Sequence, residues 1–75
     1  MTGDIRMLIT AHPFVPFTIH MVDGTHLHVT AADHILVTPQ GSRVVVARDD
    51  DSIEMLSALS ISRVVVGPQP AAPPA

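Results

Sequence analysis

The 75-residue chain contains no cysteine, no tryptophan, no tyrosine and no lysine. Without cysteine it has no disulfide and no thiolate metal site, and the redox compartment cannot be read from thiol usage. The aromatic residues are Phe14 and Phe17 alone. Proteins that bind single-stranded nucleic acid stack bases on aromatic rings along a positive groove, and this chain is poor in both. Its cations are Arg6, Arg43, Arg48 and Arg63, set against seven acidic residues for a formal charge of −3. Four scattered arginines do not make the basic stripe that neutralises many phosphates. The opening "MTGDIRMLITAHP" lacks the charged segment and long apolar run of a secretory signal. No run approaches the roughly 18 apolar residues of a membrane helix. The expectation is a cytoplasmic protein with no membrane partner, no cofactor and no evident small-molecule substrate.

What is present is aliphatic. Nearly half the residues are hydrophobic, almost all of them Val, Ile, Leu, Met and Ala. A chain this short makes one domain at most and buries only about 60% of the surface its unfolded form exposes. Small domains of that kind are usually reinforced by a disulfide, a metal or a partner subunit. With cysteine absent, the available supports are a histidine-bound metal and self-association.

Along the chain, "GDIRMLITA" at 3–11 places Ile5, Leu8 and Ile9 at helical spacing, with Thr2 or Asp4 as caps. Pro13 disfavours the α conformation at His12 and ends the helix there. "HPFVPF" follows as an extended connector. "FTIHMVDGTHLHV" at 17–29 is a hairpin whose register can be solved. A two-residue turn at Asp23-Gly24 mixes polar and apolar residues on each face. A loop of Val22, Asp23 and Gly24, with Gly24 left-handed in a G1 bulge, pairs Met21 with Thr25. Ile19 then opposes Leu27 and Phe17 opposes Val29, leaving Thr18, His20, His26 and His28 on the other face. A one-residue slip would reverse every side chain, so this separation selects the bulged loop.

Beyond Val29, residues 25–38 read as one long strand bent at Ala31–Asp33. "TPQG" is a type I turn, "SRVVVAR" a strand, "DDDS" a turn and "IEML" a strand. "SALS" reads as a single 3₁₀ turn and "ISRVVV" as the last strand. The domain is expected to span 1–66, and the Pro/Ala-rich stretch 67–75 to be a disordered tail. The fold class is mainly β: a small five-stranded antiparallel barrel with a short N-terminal α-helix.

This order of elements, with "IHMVDGTHL" and "ISRVVV" as its local signatures, resembles the Sm-like fold of the SH3-type barrels, including the bacterial RNA chaperone family called Hfq. The resemblance implies a small barrel and, in that family, RNA binding by a ring. The family's aromatic-lysine-histidine run before the last strand corresponds here to Ser57, Ala58 and Leu59, which offer no ring, cation or imidazole. Its uridine pocket therefore does not carry over. "HPFVPFTIHMVDG" is also similar to a set of short bacterial proteins with a Pro-Phe-x-Pro-Phe lead-in, a resemblance that brings no activity with it.

Three constellations bear on chemistry. The bulged register sets His20 across from His26 with His28 diagonal to them, at Cβ separations of about 5 and 7 Å. Three imidazoles so placed are candidate metal ligands, with Asp33 or His34 as a fourth. The simpler reading is an exposed polar strand face, and a pH-dependent contact is the third. "RDDDS" offers Asp49, Asp51 and Glu54 but lacks the glycine and spacing of a calcium loop, so it reads as a solvated turn. No nucleophile elbow or phosphate loop occurs, and Ser57, Ser60 and Ser62 have no evident base, so no catalytic residue is assigned.

The valine runs carry the stronger signal. "ILV" at 35–37 and "VVV" at 44–46 and 64–66 put apolar side chains on both faces of their strands. Strands of that kind are covered on both sides, and one short helix cannot cover three of them. Val44, Val45, Val46, Val64, Val65 and Val66 are the candidate oligomer interface. The expected function is a non-catalytic, oligomer-forming binding or scaffolding module. The alternative is a divergent Sm-like RNA-binding ring with Arg43 and Arg63 on its rim.

Overall fold

The computed structural model describes residues 2–67. Helix α1 (Thr2–Thr10) leads into β1 (Phe17–Met21), β2 (His26–Val29), β3 (Ile35–Val37), β4 (Arg43–Ala47), β5 (Ile53–Ser57) and β6 (Ile61–Val66). Single 3₁₀ turns at Ala32–His34 and Ala58–Ser60 precede β3 and β6. The strands pair antiparallel in two three-stranded sheets, ordered β2-β1-β6 and β3-β4-β5. Phe17, Ile19 and Val29 of the first sheet join Ile35, Val44, Val46 and Leu56 of the second in a single buried cluster.

The helical stripe docks as its spacing predicts. Ile5 is fully buried, and Leu8 and Ile9 pack against the core. The Thr10 hydroxyl donates to the carbonyls of Arg6 and Met7 at 3.1 and 3.2 Å, closing the last turn. Arg6 pins the helix to the β3–β4 turn by donating to the Thr38 and Pro39 carbonyls at 2.6 and 2.9 Å. Such charge-assisted bonds are stronger than neutral ones.

That turn is the expected one, with the Gly41 amide donating to the Thr38 carbonyl at 2.8 Å. Gly41 has φ +76, and a Cβ on it would lie 2.8 Å from the Thr2 hydroxyl oxygen. Gly41→Ala therefore incurs both left-handed strain and a clash at the helix start. We expect a loss of about 1–2 kcal/mol, read in a thermal melt as a fall in Tm of roughly 4–16 °C for a domain of this size.

The first hairpin adopts the register solved from the sequence: Phe17 opposes Val29, Thr18 His28, Ile19 Leu27 and His20 His26. Gly24 has φ +93, its amide donates to the Met21 carbonyl, and the Met21 amide donates to the Thr25 carbonyl. The Asp23 carboxylate accepts from the Thr25 amide at 2.9 Å and hydroxyl at 2.6 Å. The β4–β5 hairpin repeats this wiring with other residues. Asp51, at φ +73, takes the glycine's place, and Asp50 accepts from the Ser52 amide at 3.0 Å and hydroxyl at 2.6 Å. Aspartate tolerates the left-handed region better than most residues, which lets the aspartate run build the turn.

The Thr25 hydroxyl, and after it the Thr25 amide, hold the Asp23 carboxyl below its ordinary value of 3.8. The Ser52 hydroxyl and amide do the same for Asp50. A lowered folded-state value means that the stabilisation is complete above about 3.8 and is lost as pH falls through the lower folded values. Denaturant midpoints measured from pH 5 down to pH 2 are expected to drop across that window. An Asp23→Asn/Asp50→Asn double variant is expected to show a shallower drop.

The strand count corrects the sequence reading. The expected long second strand is divided by the turn at Ala32–His34, so six strands occur where five were anticipated. The His34 amide donates to the Ala31 carbonyl at 3.1 Å, and the Thr30 hydroxyl lies 3.5 Å from His34 Nδ1. Local bonds of this kind compete with the strand ladder. At this turn the chain passes from the first sheet to the second: β2 pairs with β1, and β3 with β4. Gly67 is held by its amide on the Pro16 carbonyl at 3.0 Å. The rest of the tail expected at 67–75 lies outside the described residues.

Candidate functional site

Cross-strand neighbours share a face, so the two ladders of the first sheet define its outer surface. One row runs His26, His20, Arg63 and the next His28, Thr18, Val65. A bulge between His20 and Met21 makes Ser62 the extra residue on β6, and its hydroxyl donates to the His20 carbonyl at 3.0 Å. The ring centres of His20 and His26 stand 5.8 Å apart, tilted by 33°. His28 is engaged elsewhere: its Nδ1 lies 2.9 Å from the hydroxyl of Thr18. The three imidazoles thus share a face without converging. Among the described residues, no group of three or more His, Asp or Glu is placed to hold a metal ion.

The Thr18–His28 pair joins a hydroxyl to a base at hydrogen-bond distance, the geometry from which nucleophilic catalysis starts. Here the hydroxyl is sealed, with Thr18 only 3% exposed, and this bond satisfies it. It is a buried polar group with its partner, as folded proteins require.

His34, considered from the sequence as an extra ligand, enters a cleft of about 380 Å³ with His26 and His28, facing Arg48 and Asp49 at the end of β4. Two of these groups already have a carboxylate neighbour. Arg48 binds Glu54 at 2.7 Å, and His34 Nε2 lies 3.8 Å from the Asp33 carboxylate. Arg43 and Arg63, proposed from the sequence to share a rim, stand on different sheets.

The valine candidates divide by face. Val44 and Val46 point into the chain's own core, and Val64 packs against it. Val45 faces outward and is half-buried, whereas Val65 and Val66 on β6 are partly exposed. The larger apolar surface is one the sequence reading did not assemble. Leu36, Val45 and Met55 form a continuous row across the outer face of the second sheet, with Ala47 and Ile53 beside it. Leu36 is 59% exposed, Ile53 65% and Met55 72%. The signal for Leu36 was present in "ILV". Ile53 and Met55 were hidden because "IEML" has an apolar residue on each face, and only the Asp51 turn fixes which face is outside.

Together these observations give a small β-rich fold with an outward apolar row on one sheet and a histidine-bearing face on the other. No family model, curated protein or solved structure matches this chain.

Proposed function

We propose that the protein is a non-catalytic, self-associating binding or scaffolding module built on a small Sm-like or SH3-like β-barrel. Support for the barrel comes from the order of elements: a leading helix, two three-stranded sheets over one core, and a 3₁₀ turn before the last strand. The observation that carries self-association is the bare apolar row Leu36–Val45–Met55. Fully burying a Leu, Ile or Met side chain is worth about 1.5–3 kcal/mol. A two-fold contact would cover the row with its own image, gaining each side chain twice.

Sedimentation velocity across micromolar to millimolar concentration tests this. A species of more than one chain that dissociates on dilution is expected, and a single chain at every concentration would overturn the reading. One feature favours a second function, RNA binding: Arg63 lies in line with His20 and His26 on the outer face of the first sheet. Nucleic acid that copurifies and is released by salt would move the assignment to the ring-forming RNA binder.

A further inference from the structure

Each sheet has two edge strands, and an unpaired edge is a template for another strand. The four edges here differ in how they are protected. β3 has three residues and β2 four, so both are short. β5 carries Glu54 on the same face as the buried Val46, tied to Arg48 at 2.7 Å. An inward-facing charge of that kind is a known defence against edge pairing. β6 has no inward-facing charge: its bulge at Ser62 and its cation Arg63 lie in the first half, and the second half is three valines that pair only with β1.

Beside that edge lies a groove of about 480 Å³ whose walls include Met7 and Leu8 of α1 and Val64 and Val66 of β6. The same groove carries Asp4 on the helix wall and Arg63 on the strand wall. Among the described residues the ion pairs are His34–Asp33 and Arg48–Glu54, so neither Asp4 nor Arg63 is paired.

We infer that a second copy of the chain docks here, with the two β6 strands pairing antiparallel about a two-fold axis. This inference rests on the self-association proposed above and assigns one of its surfaces. An isologous contact uses the same patch twice, so the patch must complement itself. A patch with one acid, one base and an apolar remainder does so: Asp4 faces the partner's Arg63, and Arg63 faces the partner's Asp4. An axis through Val64 or Val65 sets valines against valines or opposite neutral or unlike residues, whereas one through Arg63 would set two guanidinium groups opposite each other. The strand ends at Val66, and Gly67 follows at φ +115, so the ladder closes on the valines.

Charge exchange on the full chain tests the placement, with sedimentation equilibrium for the dissociation constant and circular dichroism for folding. Arg63→Asp and Asp4→Arg are each expected to weaken β6 pairing about tenfold or more, because each sets like charges together. The Asp4→Arg/Arg63→Asp double variant is expected to recover to within a few-fold of wild type. Wild-type self-association that ignores both single changes would overturn this interface and leave the broader reading standing. Single changes that weaken assembly without rescue by the double variant would overturn the Asp4–Arg63 pairing that defines the docking. A wild type that stays a single chain throughout would overturn both proposals.

Discussion

Phe17→Ala is expected to strip the folded state of much of its stability at room temperature. Phe17 is the largest of the fully buried side chains and sits at the start of β1, the central strand of the first sheet. Its ring lies 5.9 Å from that of Phe14, the chain's other aromatic. Removing a buried phenylalanine costs about 3–5 kcal/mol through lost transfer energy and the cavity left behind. Stability of about 0.05–0.15 kcal/mol per residue gives a chain of this length only about 4–11 kcal/mol in total. The loss therefore takes about a quarter of the stability at the least and all of it at the most. A denaturant midpoint lowered by about a quarter or more, down to a flat circular-dichroism melt at the extreme, is the expected readout. A cooperative melt within a few degrees of wild type would show that the core does not depend on this ring.

Met55→Lys is expected to act on assembly and leave the fold alone. Met55 is 72% exposed on an edge strand, so lysine meets no steric objection in the single chain. In a face-to-face pair the ammonium would be buried against Leu36 and Val45 of the neighbouring copy, where an unpaired charge costs several kcal/mol. The face-to-face dissociation constant is expected to rise at least a hundredfold while Tm at low concentration stays within a few degrees. Pairs formed through β6 are expected to persist, because Met55 lies on the other sheet. An unchanged sedimentation profile would show that the Leu36–Val45–Met55 row is not a contact between copies.

Much of the fold was legible because the first hairpin separates its polar and apolar residues without ambiguity. Once His20, His26 and His28 must share a face, the loop, the bulge and every pair of β1 with β2 follow. The break at Ala32–His34 was less legible. A bent strand and two strands joined by a 3₁₀ turn place the same apolar residues inside, and only the bond from His34 to Ala31 decides between them. The candidate surfaces were legible in part. "VVV" at 44–46 announces apolar residues on both faces but not which of them the core takes; Val44 and Val46 went inward. The placement of Arg63 beside His20 depends on a bulge in β6, and a bulge at an ordinary Ile-Ser-Arg leaves no mark in composition.

The inward Glu54 carries a consequence for growth. A molecule with one adhesive rim that mates with its own image is saturated after a single union along that rim. Were Glu54 replaced by valine, β5 would become a second adhesive rim unlike the first, and head-to-tail addition would have no closing step. On this view one carboxylate, clasped by Arg48, confines edge-to-edge joining to a single union at β6.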